Sequence, residues 1–408
     1  MLIVLSLRKK KSLKIDLLSN IKKIIIDRMN ETLKRILKNI MLSVVFIALI
    51  FGIFFMVRKY FPQKIIAFGN QNTASVIYAT NTHIETPKVL KAVYISSWAA
   101  GSQSFRKKFF ETIDGSEINA VVVDIKDYTG RISFNIPKKY FEDIGSTQNR
   151  ISDIETFIAQ LHDKNIYVIG RISSFQDSYL VNIHPEWAVK SKSGSTWRDK
   201  KGVAWLEAGA KPVWEYLTAI AHESYNLGFD ELNFDYIRFP SDGNVDDIDY
   251  KWMDNRTKRE VIKDFLIYMK QSLKDVDAPV SVDFFGYTTT NKDDLGIGQV
   301  LEDALQSVDF VYPMVYPSHF GKGFLGYDNP AKYPYEVIKY SMDHAIERAK
   351  QINVSKEKIK PWLQAFDLGA EYSPNMIKTQ IDAVNKSELQ GWLLWNAGSE
   401  YDRKAITI

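Results

Sequence analysis

Eight short apolar runs, separated by helix-like stretches, restrict this chain to very few folds. They are Lys91–Ser96, Ala120–Asp124, Ile166–Arg171, Glu231–Asp235, Pro279–Phe285, Phe310–Met314, Ile359–Phe366 and Gly391–Asn396. Each has the length of a strand buried on both faces. Between them lie amphipathic segments: Ser104–Ile113, Ile151–Lys164, Val213–Leu227, Arg256–Lys274, Val300–Ser307, Pro334–Gln351 and Pro374–Ser387. Parallel strands need a crossover, and a helix supplies it. Eight such units in residues 89–408, with long insertions after the third and sixth strands, predict an α/β fold, a (β/α)8 TIM barrel. Its functional groups would stand at the C-terminal ends of the strands. A doubly wound open sheet is the alternative, but no Gly-rich phosphate turn follows any run.

The region before the barrel reads differently. Residues 1–39 form a basic leader with 11 Lys/Arg against three acids, and Ile40–Val57 is an apolar stretch of 18 residues broken only by Ser43 and Gly52. That is long enough to cross a bilayer as one transmembrane helix. Lys34, Arg35 and Lys38 crowd its N-terminal side, so the positive-inside bias puts the leader in the cytosol and the large remainder outside. The run ends in Val-Arg-Lys without a small-residue cleavage pattern, which favours an uncleaved anchor over a signal peptide. Residues 58–88 are polar and aperiodic and read as a linker.

Composition excludes several functions. The chain carries a net charge of +4, but the leader alone holds a surplus of eight, leaving the rest at −4 and giving no basic groove for nucleic acid. Cysteine is absent, which removes thiol catalysis, thiolate metal sites and disulfides. His319 stands in Tyr-Pro-Ser-His-Phe without a second ligand at metal spacing, so neither a metal nor another cofactor is expected.

The run Gly228–Pro240 carries most of the chemistry. Alternation turns Leu232, Phe234 and Tyr236 one way and Glu231, Asn233 and Asp235 the other. A carboxylate on the enclosed side of a buried strand must be bonded or used. Asp235 is therefore the first candidate for catalysis, and Asp283, at the end of the next strand, is the second. Each can instead cap a loop or pair with Arg171 or Arg238. Around them the strand ends collect Trp98, Asp124, Lys126, Arg171, Asn233, Arg238, Tyr316, His319, Gln364 and Trp395 as candidate substrate contacts. Asp124 and Asp127 flank Lys126 and read first as a salt-bridged rim. Carboxylates among aromatics and amides suit the cleavage of a glycosidic bond.

Lys91–Ser96, Val121–Asp127, Gly228–Pro240, Val311–Pro317 and Gly391–Trp395 together resemble a bacterial family of membrane-anchored glycoside hydrolase domains. The resemblance spans residues 90–400 and implies a TIM barrel acting on a polysaccharide. Trp197, Asp199, Gly202 and Trp205 look like that family's segment ahead of the fourth strand. Phe229–Ile237, Met314–Tyr316 and Trp392–Trp395 are also similar to chitinase-type hydrolases, although Ile237 stands where those enzymes carry their acid Glu. Asp235 and Asp283 match the nucleophile and acid of α-amylase-like retaining barrels, with Asn233 in place of their Arg.

These observations describe a membrane-tethered extracytoplasmic glycoside hydrolase of a cell-envelope or extracellular polysaccharide. The alternative is a non-catalytic glycan-binding barrel that tethers the cell wall. Neighbouring strands lie roughly 4.8 Å apart, so Asp235 and Asp283 can approach to the 5–5.5 Å of a retaining pair. Val282, Phe284 and Phe285 surround Asp283 with apolar groups and suit it to the acid's role, leaving Asp235 as nucleophile. The topology is tested by protease added to intact cells. The large domain is expected to be trimmed, and protection until lysis would reverse the orientation.

Overall fold

The computed structural model describes residues 83–407, so the leader, the apolar run Ile40–Val57 and most of the linker lie outside it. Among the described residues no helix is long and apolar enough to cross a membrane. All eight runs form strands: β1 Leu90–Ile95, β2 Ala120–Lys126, β3 Tyr167–Ser173, β4 Glu231–Asp235, β5 Val280–Phe285, β6 Phe310–Met314, β7 Trp362–Gln364 and β8 Gly391–Trp395. Each pairs in parallel with its sequence neighbours, and β1 pairs with β8, closing the barrel. Helices α1 Gln103–Ile113, α2 Ile154–His162, α3 Lys211–Asn226, α4 Lys258–Ser272, α5 Leu301–Ser307, α6 Pro334–Gln351 and α7 Pro374–Lys386 follow the first seven strands. A short 3-10 turn, Arg403–Ala405, stands where an eighth helix would begin.

Strand alternation divides the apolar residues into two sets. Val93, Ile95, Val121, Val123, Val168, Leu232 and Phe234 point outward into the layer beneath the helices. Leu90, Ala92, Ala120, Val122, Tyr167, Ile169, Tyr312 and Leu393 fill the barrel interior. Both faces are thereby covered, the condition under which an all-parallel sheet is stable. Helix starts are set locally: Ser102 caps α1 through the N–H of Phe105, and Thr257 with Glu260 forms a capping box on α4. Tyr236, expected to continue the outward face of β4, instead takes φ 53° and leaves the strand. This left-handed turn ends the ladder at Asp235.

The insertion after β3 is long, as expected, and a second one follows β4. They meet in a two-residue antiparallel pairing of Lys190 and Ser191 with Asp249 and Ile248. Glu207 is fully buried and accepts the N–H groups of Lys251 (2.9 Å) and Trp252 (2.5 Å), while Trp197 donates to the carbonyl of Asn244 at 2.9 Å. A Cβ on Gly209 would sit 2.0 Å from the Trp252 carbonyl oxygen, so only glycine permits this close approach. The two insertions form one wall beside the barrel mouth.

Residues 83–88, the last six of the expected linker, lie against the opposite end of the barrel. The N–H of Ile84 donates to Asp230 Oδ1 (2.9 Å) and Thr86 Oγ1 bonds to the Tyr167 hydroxyl (3.0 Å). Asp230 Oδ2 also accepts from Val168 N (2.7 Å) and meets His162 Nε2 at 2.8 Å. Just inside, Glu231 accepts from the hydroxyls of Tyr312 (2.5 Å) and Tyr167 (3.1 Å). Burial opposes the charge on Asp230, but hydrogen bonds from His162, His83 and Val168 prevail and hold its carboxyl below the ordinary range.

Asp230→Ala removes the acceptor of two backbone N–H groups and is expected to cost about 2–4 kcal/mol in denaturant unfolding at neutral pH. The Asp230 carboxyl is depressed in the folded state. Its stabilisation is therefore full above the unfolded carboxylate pKa of about 4 and is lost as pH falls through the folded value. The deficit of the variant should shrink accordingly in acid.

Candidate active site

Strand β3 turns Tyr167, Ile169 and Arg171 inward in succession, so its interior face changes from apolar to cationic toward its C-terminal end. Arg171 is 6% exposed and faces three carboxylates from three strands. Its Nη1 donates to Asp124 Oδ1 at 2.6 Å, and Nη2 and Nε donate to Asp235 Oδ2 at 2.5 and 3.1 Å. The same Nε lies 3.8 Å from Asp283 Oδ2. The Oδ2 atoms of Asp235 and Asp283 are thus separated by less than the sum of 3.1 and 3.8 Å, and most of the inverting range of 6.5–9.5 Å lies beyond that limit.

Each carboxylate has a different second set of partners. Asp124 Oδ2 accepts from the Tyr94 hydroxyl (2.6 Å), and Asp235 Oδ1 accepts the N–H of Tyr236 (2.5 Å). Asp283 Oδ1 accepts from Trp362 Nε1 (2.8 Å) and Asn233 Nδ2 (3.1 Å). Burial, followed by the neighbouring Asp235 charge, pushes the Asp283 carboxyl well above the usual range despite Arg171. Burial also raises Asp124.

Above the carboxylates opens a cavity of about 200 Å³, lined by Arg171, Asp235, Tyr236, Arg238, Asp283, Phe285, Gln299, Met314, Tyr316, His319, Trp362 and Trp395. Trp395 stacks on Tyr94 with ring centroids 4.0 Å apart, lies edge-on to Trp362, and has the Arg171 guanidinium 5.0 Å from its ring centre. Tyr316 and His319 form the facing wall. A larger groove of about 450 Å³ between α1 and α7 lies beside the 3-10 turn after β8 and contains none of these groups.

Of the residues expected from sequence, Asp235, Asp283, Arg171, Arg238, Tyr316, His319 and Trp395 are brought together around the cavity. Asp124 and Asn233 lie beneath it and hold its polar groups. Three expectations change. Lys126 is fully buried, pairs with Asp177 at 2.8 Å and donates to the Ser173 carbonyl at 2.7 Å, because the β2 register shifts between Asp124 and Lys126 and the side chain is used under the next loop. Gln364 is also buried, accepting from Ser318 N (3.1 Å) and donating to the Phe366 carbonyl (2.9 Å), so it ties the β6 and β7 loops together. Trp98 is 63% exposed on the rim, where it stacks with Arg150, and is not part of the cavity.

Tyr94, Tyr236, Phe285, Gln299, Met314 and Trp362 were absent from the sequence-based set. Tyr94 and Trp362 were within reach of it. Each sits on the inward parity of its run, with Leu90 and Ala92 before Tyr94. Gln299 had no such signal, since it arrives from the segment before α5 and bonds to the backbone of Phe285 and Ile237.

A closed eight-stranded parallel barrel with paired carboxylates and aromatic walls at its strand ends defines the class, a TIM-barrel glycosidase. Residues 92–401 match the family model described as "Putative glycosyl hydrolase domain", and the chain belongs to that family of glycoside hydrolases. The glycoside hydrolase domain of PgaB (BpsB) from Bordetella bronchiseptica is 14% identical, covers 78% of this chain and 99% of its own, and superposes with a TM-score of 0.57. Alpha-L-fucosidase isoenzyme 2 from Paenibacillus thiaminolyticus is also 14% identical, over 78% of this chain and 49% of its own, with a TM-score of 0.53. These two likenesses concern the fold. A hypothetical protein from Ruminiclostridium thermocellum is 33% identical over 50% of this chain and 98% of its own, with a TM-score of 0.44. No curated protein sequence matches the chain.

Arg171→Met leaves three buried carboxylates facing one another. The variant should lose about 3–5 kcal/mol at neutral pH in denaturant unfolding. Burial already raises the Asp124 and Asp283 carboxyls, and without the guanidinium nothing offsets it, so the loss should diminish as pH falls and they protonate. A loss independent of pH would show that Arg171 serves packing alone.

Proposed function

We propose that this chain is a membrane-anchored, extracytoplasmic glycoside hydrolase that cleaves O-glycosidic bonds of a cell-envelope or extracellular polysaccharide with retention of configuration. The observation that carries the reading is the shared approach of Asp235 and Asp283 to one Arg171 nitrogen. Three N–H donors converge on Asp235, an arrangement that stabilises a carboxylate. Asp283 is held toward its protonated form by burial and by that neighbouring charge. One group is thus suited to attack and the other to give a proton.

In the reaction, Asp283 donates its proton to the glycosidic oxygen as the bond to the anomeric carbon breaks. An Asp235 oxygen bonds to that carbon from the opposite side, giving a glycosyl ester. Asp283, now a carboxylate, takes a proton from water, whose oxygen displaces Asp235 and releases the sugar. Trp395, the partly exposed ring among Trp362 and Tyr316, offers aromatic surface for the sugar, and Arg171 holds the Asp235 charge before and after attack. The anchoring part of the proposal rests on Ile40–Val57 and its basic flank.

Asp235→Asn should lower kcat by at least about 10³-fold without changing the fold, and early product followed by NMR should keep the substrate's anomeric configuration. Activity should fall as pH rises through the elevated Asp283 value, because the acid must be protonated to act. Inverted product would contradict the mechanism. Oligosaccharide binding with no turnover by the unaltered protein would leave a glycan-binding barrel instead.

A further inference from the structure

The cavity holds two guanidinium groups in opposite circumstances. Arg171 is matched by three carboxylates. Arg238 lines the same cavity, yet among the described residues no carboxylate lies within salt-bridge distance of it. Its Nη1 donates to the Phe239 carbonyl (3.1 Å) and the Ser241 hydroxyl (3.2 Å), and its Nε and Nη2 donate to no atom among the described residues. The guanidinium carbon lies 4.7 Å from the ring centre of Trp205, 4.9 Å from Phe285 and 5.8 Å from Tyr236. Asp235, Asp242 and Asp199 act on it only from beyond contact, and burial prevails, drawing its pKa down.

A cation held partly out of water without a counter-ion is unfavourable, and aromatic faces recover only part of that cost. The chain nevertheless builds a mount for it. Asp199 accepts from Trp205 Nε1 (3.0 Å) and from the N–H groups of Lys201 and Val203 (2.9 Å each), which fixes the Trp205 ring beside the guanidinium. The left-handed turn at Tyr236 places a second ring against it. Three aromatic surfaces thus hold a planar fork whose Nε and Nη2 edge has no acceptor among the described residues. Such an edge matches two oxygens of one anionic group, and a bidentate pair of this kind supplies both strength and orientation. His319, at the exposed mouth, is pushed toward its neutral form by partial burial and does not substitute for it.

We propose that Arg238 is the anchor for an anionic substituent on the sugar, a uronic-acid carboxylate or a phosphate ester, so that the ligand is an acidic polysaccharide. The assignment rests on the hydrolase reading for the sugar, while the charge follows from the unmatched guanidinium.

The test uses the full chain and oligosaccharide pairs differing only in charge: oligouronides against their carboxyl-reduced forms, and phosphate-bearing oligomers against their dephosphorylated forms. Binding is followed by calorimetry. In at least one pair the charged member should bind the unaltered protein about tenfold more tightly or better, and added salt should narrow that margin. The pair that responds separates carboxylate from phosphate. Arg238→Gln should abolish the margin by weakening the charged member more than the neutral one, and Arg238→Lys, which keeps the charge but not the fork, should retain part of it. Equal affinity within both pairs, or no binding of either charged member, would overturn the assignment. So would a charge preference that survives Arg238→Gln. The first comparison needs no variant, so misfolding cannot obscure it. Charge preference without cleavage would keep the Arg238 assignment and end the hydrolase reading, whereas cleavage of neutral oligosaccharides without charge preference would do the reverse.

Discussion

The guanidinium of Arg171 is the interaction on which the functional end of the barrel depends. Parallel strands closed into a barrel bring their inward residues within a few ångströms of one another. Carboxylates from β2, β4 and β5 would repel in that space. A single planar cation with donors along three edges satisfies Asp124 and Asp235 directly and stands within reach of Asp283. Lysine, a point charge on a flexible stem, would not hold three acids in fixed relation. The unequal second partners then give the acids different character. Asp235 gathers N–H donors, while Asp283 is sealed among Trp362, Asn233 and the chain's apolar interior.

The opposite end of the barrel is polar for another reason. There Asp230 and Glu231 bind the entering chain and two tyrosine hydroxyls, with Lys360 nearby drawn down to about 8 chiefly by burial. Nothing in that layer lines the cavity. One strand, β4, thus contributes a structural acid at its base and a site acid at its end, separated by Asn233. The sequence Glu-Leu-Asn-Phe-Asp shows all three on one face but does not reveal which end opens to ligand.

Much of the fold was legible because burial on both faces leaves a simple trace. All eight runs became strands, and each of the seven amphipathic segments contains an observed helix or most of one. Boundaries moved where tertiary bonds intervened. The run Ile359–Phe366 narrows to the strand Trp362–Gln364 and a single parallel bridge at Ile359, and Tyr236 turns out of β4 through a left-handed conformation that alternation cannot anticipate. The core of the site was legible as well, since Asp235, Asp283 and Arg171 are charged residues inside apolar runs. Lys126 misled because a register shift after Asp124 is invisible in sequence. Gln364 misled because strand parity says nothing of whether an amide faces ligand or a neighbouring loop. The wall containing Trp205 was the least accessible, being assembled from two insertions that meet only in three dimensions.

On this account the barrel is a glycoside hydrolase fold whose chemistry is decided by how one arginine and one aromatic enclosure divide the work between two aspartates. The central claim is that Asp235 bonds to the sugar. A slow substrate, quenched during turnover and followed by mass spectrometry of the digested protein, tests it most directly. The account predicts a glycosyl adduct on the peptide carrying Asp235. An adduct on the peptide carrying Asp283 instead, or turnover with no adduct at any quench time, would contradict it.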